Sequence, residues 1–288
     1  MKRKRRMTWS IAAAAILAGG SLFTVYETKS LDTTTAVWTS PRVPAAFDGF
    51  RIVQLSDLHN ARFGKEQNRL TDAVRAARPD LIALTGDFLD LHSANLGFLR
   101  ELLNGISGLA PVYFINGNHD RETPLYDSML ALFAESGVTV LNDSYVTLTR
   151  GGGTMTLAGL DWGNDPDSFA PLDPTRPAAL AWEDADILLC HDPMLFPRLA
   201  ERCASGQEDP GALILCGHMH GGQIALPGGK AVIGPGGLWF PPCAAGRFVQ
   251  DGVTMIVNRG LGTSGFHFRL FSRPEVGIVV LRQDNPAV

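Results

Sequence analysis

From residue 51 onward the chain alternates short apolar runs with amphipathic stretches, and this rhythm is what most restricts its fold. Residues 52–55 read as a buried strand. Leu70, Ala73, Val74 and Ala77 follow at helical spacing, and Pro79 ends that helix before the next apolar run at residues 81–85. Leu96, Leu99, Leu103 and Ile106 mark a second helix, which leaves through Gly105 and Gly108. Residues 112–115 form a third strand, and Tyr126, Met129, Leu130 and Phe133 mark a third helix. The pattern is βαβαβ, which predicts parallel strands with right-handed crossovers. Past Gly137 come shorter β-rich runs at residues 138–141, 145–149 and 155–160, broken by the Gly151-Gly152-Gly153 turn. Two buried strands end at Cys190 and Cys216, and the tail has β-like runs at 253–257 and 276–281. With no repeat, low-complexity segment or dividing linker, residues 50–288 are expected to form one α/β domain.

The ends of these strands carry a second pattern. Asp57-Leu58-His59, Gly86-Asp87, Gly117-Asn118-His119-Asp120, Cys190-His191 and Gly217-His218-Met219-His220 each follow within a few residues of an apolar run, and they hold five of the seven histidines. Loops leaving adjacent strands converge at the carboxyl edge of an α/β sheet, where ligands gather. Asp, Asn and His hold hard-to-borderline divalent ions, and no nucleophilic Ser or Cys arrangement competes with them. Taken singly, each motif has a bland reading: Gly-Asp is a common turn, and a lone His beside an apolar strand is usually a satisfied core residue. Delivered by five strands to one edge, they point to two ions side by side, the arrangement that phosphate-ester hydrolysis uses.

The order and content of these motifs resemble the calcineurin-like metallophosphoesterase superfamily. The resemblance covers about residues 50–282. It includes Ser56-Asp57-Leu58-His59-Asn60 and Gly217-His218-Met219-His220-Gly221-Gly222-Gln223, and continues in Arg259-Gly260-Leu261-Gly262-Thr263-Ser264 and Arg273-Pro274-Glu275, which are similar to the closing segment of its membrane-associated bacterial phosphodiesterase branch. It implies an αββα fold, a β-sandwich flanked by helices with the dimetal site at the carboxyl edge of the strands. It also implies one ion (Mn, Fe or Zn) held by Asp57, His59, Asp87 and His220, and a second held by Asp87, Asn118, His191 and His218, with Asp87 bridging. A hydroxide between the ions would then attack phosphorus in line. His119 is implied as the general acid or charge stabiliser at the leaving oxygen, oriented by Asp120. The glycines at 86, 117, 217, 221 and 222 would let the backbone approach closely and turn sharply.

The N-terminus reads as a targeting segment. Five basic residues, Lys2 to Arg6, precede an uncharged run at residues 9–25. As a helix this run reaches ~26 Å at ~1.5 Å per residue, a little short of the ~30 Å hydrocarbon core. Basic residues before it and few after it predict a single-pass anchor over residues 1–26, with the body on the extracytoplasmic side; cleavage as a signal peptide is the alternative. Residues 27–49 read as a polar connector. Setting those five positive charges apart from a formal net charge of −4 leaves an acidic body, so no nucleic-acid partner is expected. Cys190 and Cys216 close apolar runs as small buried hydrophobes, while export would permit a Cys203–Cys243 disulfide.

The substrate is marked less sharply. Residues 226–242 are rich in Gly and Pro and end in Leu238-Trp239-Phe240-Pro241-Pro242, and Phe266, Phe268 and Phe271 follow. These aromatics are either core or an apolar lip beside the ions. A lip would suit a phosphate-ester substrate such as a phospholipid or lipid-linked diphosphate. The alternative is a UDP-2,3-diacylglucosamine-type pyrophosphatase, against which an exported body would weigh. A metal-binding interaction scaffold is the non-enzyme alternative, although no ligand position is missing. His92 and His267 have no role in this scheme, although His267 lies in the closing segment and is a candidate to line the pocket.

Overall fold

The computed structural model describes residues 2–91, 93, 95–163, 170–171, 185–204 and 211–284, and for residues 2–14 and 170–171 the backbone alone. Two sheets face each other. The first has the order β1 (Asp32–Ser40), β15 (Glu275–Gln283), β2 (Arg51–Leu55), β3 (Leu81–Thr85), β4 (Val112–Ile115), β5 (Val138–Val140). The second runs β13 (Gly246–Gln250), β14 (Val253–Val257), β10 (Leu213–Cys216), β9 (Ile187–Leu189), β7 (Gly153–Gly159), β6 (Ser144–Arg150), β8 (Ala170–Pro171). Strands β2 to β5 pair in parallel, as the βαβαβ pattern predicts. The central strands of the second sheet, β7, β9, β10 and β14, are parallel as well.

The strands that point at the site are buried on both faces, so their sequences are continuous apolar runs rather than alternations. Leu81-Ile82-Ala83-Leu84-Thr85 is buried at every residue, as is Leu213-Ile214-Leu215-Cys216. Between the sheets lies a core that includes Trp38, Phe47, Ile52, Ile115, Leu157 and Leu215. The outer face of the first sheet packs on α2 (Asn68–Ala77), α3 (Leu96–Ile106) and α5 (Tyr126–Glu135) through Leu70, Leu103 and Phe133. The outer face of the second packs on α6 (Phe196–Ala204) through Leu199 and Cys203. The layering is therefore αββα. Each fully buried Leu or Ile side chain contributes roughly 1.5–3 kcal/mol of transfer free energy.

One polar tie crosses the sandwich beneath the site. The Gln54 side-chain amide, 1% exposed, donates to the Cys216 carbonyl at 2.9 Å and to the Thr85 hydroxyl at 3.0 Å. Gln54 belongs to the first sheet and Cys216 to the second, so this amide fixes the register of the two strand ends that lead to Asp57 and His218.

Two expectations change. No helix among the described residues is long and apolar enough to cross a membrane, which overturns the single-pass anchor. The N-terminal run does form a helix, α1 (Lys2–Lys29), but Gly19, Gly20, Ser21 and Thr24 dilute its apolar content. Its last turns also belong to the body: Glu27 is buried and accepts from the Arg273 guanidinium at 2.7 Å. Residues 27–49 are not simply a connector, because Asp32–Ser40 adds a β-branched edge strand to the first sheet, paired in parallel with β15. None of Cys190, Cys203, Cys216 and Cys243 is in a disulfide, and Cys190 and Cys216 are buried at the ends of their apolar runs. Cys203 is buried in the α6 core, and Cys243 packs against the same cluster. His92 lies outside the described residues.

Candidate metal centre

Every motif sits just past the end of a strand. Asp57 follows β2, Asp87 follows β3, Asn118 follows β4 and opens the short helix α4 (Asn118–Glu122), His191 follows β9 and His218 follows β10. To bring their side chains inward, five of these residues adopt left-handed backbone conformations: Asp57 at φ 52°, His59 at 42°, Asp87 at 59°, His218 at 67° and His220 at 52°. Such conformations cost of order 1–3 kcal/mol each at a non-glycine residue and concentrate at functional sites. At Gly217 the chain passes so close to β2 that an added Cβ would lie 1.8 Å from the Ser56 hydroxyl oxygen.

Two clusters result. Asp57, His59 and His220 bring ligand atoms within 4.8 Å of one another, and so do Asp87, His191 and His218. Asp87 lies between the two. Its Oδ2 is 3.5 Å from His59 Nε2 in the first cluster and 3.3 Å from His191 Nε2 in the second. His220 Nε2 is 3.6 Å from Asp57 Oδ1, and His218 Nδ1 is 3.2 Å from His191 Nε2. The surroundings fix the orientation of these groups. His191 Nδ1 faces the Thr85 carbonyl at 2.7 Å, which leaves its Nε2 turned to the cluster. The His218 amide donates to both Asp57 oxygens at 3.1 Å, and the His119 amide donates to Asp87 Oδ1 at 2.9 Å.

The donor set fits divalent ions. His59 Nδ1 and Nε2 and Asn118 Oδ1 are buried without a hydrogen-bond partner, a costly state that an ion would relieve at Nε2 and Oδ1. Charge is arranged to match. Burial alone would raise Asp87, but His191, His59 and His119 hold its carboxyl well below the usual range. Asp87 in turn pushes His191 up to about 10, against the effect of burial. Burial lowers His59 and His218 to about 4, and it lowers His220 well below its usual value, so these three imidazoles are neutral at physiological pH. Asp57 is raised to about 6 by burial and by the nearby Asp87.

His119 differs from the other histidines. Its Nδ1 accepts the Leu91 amide at 3.2 Å, which leaves the ring proton on Nε2, and it lines a cavity of about 490 Å³ with Asn118, Trp162, His218, Ile233 and Phe266. Asp120, expected to orient His119, is instead buried beneath the loop after β3, where its carboxylate accepts the amides of Asp87, Phe88, Leu89 and Gly117. Orientation of His119 comes from Leu91. His267 is exposed and does not line the cavity.

Sequence reasoning missed two neighbours. Asp90 places a carboxylate 4.0 Å from His59 Nδ1 and groups with His59 and His119; the Gly86-Asp87-Phe88-Leu89-Asp90 spacing was its only signal. Trp162 sets its ring 5.3 Å from His218 and 5.6 Å from His191, and its place in the turn after β7 gave no sequence signal.

Comparison with known proteins agrees with this geometry. Residues 50–222 match the family described as calcineurin-like phosphoesterase. The chain is 32% identical to the uncharacterized metallophosphoesterase YkuE of Bacillus subtilis, with 97% of this chain and 96% of that protein covered. It is 29% identical to the phosphodiesterase YaeI of Escherichia coli, covering 81% and 82%. It is 26% identical to the UDP-2,3-diacylglucosamine pyrophosphatase LpxG of Chlamydia muridarum, covering 94% and 96%. With the family's sequence pattern, its layered fold and a paired ligand cluster all in one chain, this protein belongs to the calcineurin-like phosphoesterases, hydrolases that work with a dinuclear metal centre.

Proposed function

We propose that the protein is a phosphodiesterase whose two ions are held by Asp57, His59, Asp87 and His220 on one side and by Asp87, Asn118, His191 and His218 on the other. The position of Asp87 Oδ2 between His59 and His191 carries this reading, since one carboxylate reaches both clusters. Two divalent ions bound there would supply an activated water and Lewis-acid stabilisation of the phosphoryl oxygens. The chain's own residues do the rest. His119, holding its proton on Nε2, faces the cavity and is placed to donate a hydrogen bond to the departing oxygen and stabilise the charge that builds there. Asp120 keeps the Asp87 loop rigid, and Trp162 covers the second cluster and limits the entry of bulk water.

The substrate we infer carries an apolar group. Trp239 is 65% exposed and Phe240 54% exposed, which excludes the core reading of these aromatics. Phe266, also exposed, lines the cavity, as do Ile233 and Pro235. Solvent-exposed aromatics beside a hydrolytic site suit a lipid-linked phosphate or diphosphate. The likeness to LpxG over nearly the whole chain favours a second reading, an acylated nucleotide-sugar diphosphate. An exported body, as after cleavage of a signal peptide, would weigh against that second reading.

The test uses the full chain, stripped of metal and reloaded with Mn²⁺, on a chromogenic phosphodiester and the matching monoester. Expected is Mn²⁺-dependent diester cleavage that disappears in Asp87→Ala. Absence of hydrolysis with any divalent ion, despite two bound ions, would overturn the reading in favour of a metal-binding scaffold.

A further inference from the structure

The segment that closes the chain contains a charged side chain with no part in the chemistry above. Arg269 is 0% exposed, an extreme rarely met by an arginine unless it is paired. Its partners are backbone carbonyls. Nε donates to Gly262 O at 2.9 Å and Nη2 to the same oxygen at 2.5 Å, while Nη1 donates to His220 O and Ser272 O, both at 3.0 Å. Nη2 also lies 3.4 Å from His220 Nδ1. Gly262 donates its amide to the Asp57 carbonyl at 2.6 Å. A single planar guanidinium thus joins the backbone beside Asp57 to the backbone of His220, the two ends of the first ligand cluster.

Arg269 is itself held from the far side by α1. Its amide donates to Thr28 Oγ1 at 2.9 Å, the neighbouring Phe271 ring packs 5.4 Å from Phe23, and Arg273 pairs with the buried Glu27. We infer that Arg269 is a positioning residue that sets the spacing of His220 from Asp57, and that residues 23–28 of α1 hold it in place, which makes the end of the N-terminal helix part of the metal centre. A lysine keeps the charge here but cannot reach three carbonyls at once, because it lacks the planar fork of five N–H donors. The inference rests on the reading of Asp57, His59 and His220 as ligands.

The test counts ions rather than turnovers. Full-length wild type, Arg269→Lys and Thr28→Val are titrated with Mn²⁺ against a competing chelator, and bound metal is measured by mass spectrometry. Expected is that Arg269→Lys holds one of its two ions about 10–100-fold more weakly, the range seen when outer partners of metal ligands are lost, while the other ion keeps its affinity. Thr28→Val shows a smaller loss in that same ion, and kcat falls while KM is unchanged in both variants. Wild-type affinity for both ions in folded Arg269→Lys overturns the inference. Should Arg269→Lys not fold, Thr28→Val decides, and unchanged affinity there overturns it equally. A wild type that binds two ions but cleaves no diester refutes the phosphodiesterase reading alone, and one that binds no ion refutes both.

Discussion

Asp120 accepts the Asp87 amide at 2.5 Å, so the carboxylate placed between the two clusters is held by a second carboxylate that touches neither. That second group also takes the amides of Phe88, Leu89 and Gly117. Asp120→Ala would leave these buried donors unpaired at a cost of about 3 kcal/mol, because hydrogen bonds to a charged acceptor are the stronger kind. The melting temperature should fall by about 5–10 °C for a domain of this size. Calorimetry on the metal-free protein checks the value, and an unchanged melting point would show that the nest is dispensable.

His119→Ala should lower turnover ~10²–10³-fold, the usual contribution of one donor aimed at developing charge. Both ions should stay bound, since His119 belongs to neither proposed ligand set and only packs its ring 4.6 Å from that of His59. Metal analysis alongside steady-state rates separates the two effects. A variant that has lost an ion, or one that turns over normally, contradicts the role given to His119.

Metal uptake should release a proton. In the absence of an ion, the pKa of His191 is pushed up to about 10 by Asp87, above the ordinary 6.5. The stability that this pair contributes is fully present below 6.5 and disappears as pH climbs through about 10. An ion takes the proton's place, so ion affinity should rise with pH across that window. Calorimetric titration near neutral pH, in buffers of differing ionisation heat, should report about one proton released from His191 per chain. His191→Gln should remove that release.

Trp239→Ser should slow cleavage of a lipid-linked diester presented in mixed micelles and leave a small soluble diester unaffected, because the side chain lies at the exposed rim. Equal rates for both substrates in wild type and variant would dismiss the apolar lip.

The strand ends that carry the candidate ligands were legible because their signals are local. An apolar run followed by Asp-x-His or Gly-Asn-His specifies both a buried strand and the turn after it, and the run at residues 81–85 matches its strand residue for residue. The edge strand Asp32–Ser40 was harder to read. Its Thr-rich alternation looks like a connector until a partner strand 240 or so residues away pairs with it. The roles of Asp120 and Arg269 depend on backbone atoms of distant loops, and no spacing in the sequence encodes which amide or carbonyl will face a side chain. The N-terminal run misled for a related reason: its hydropathy is a property of the segment, whereas the burial of Glu27 is a property of the folded body.

Asp57, His59, Asp87 and Asn118 belong to loops of the first sheet, and His191, His218 and His220 to loops of the second. The centre is therefore a rivet through two plates, and its geometry depends on how the plates lie on each other. Any small slide of one sheet over the other would shift His191, His218 and His220 against Asp57, His59, Asp87 and Asn118, so each candidate ion site would feel it. Side chains deep in the interface, such as Ile115 and Leu157, would then set the spacing of the candidate centre, although they lie in the apolar layer between the sheets and not among its residues.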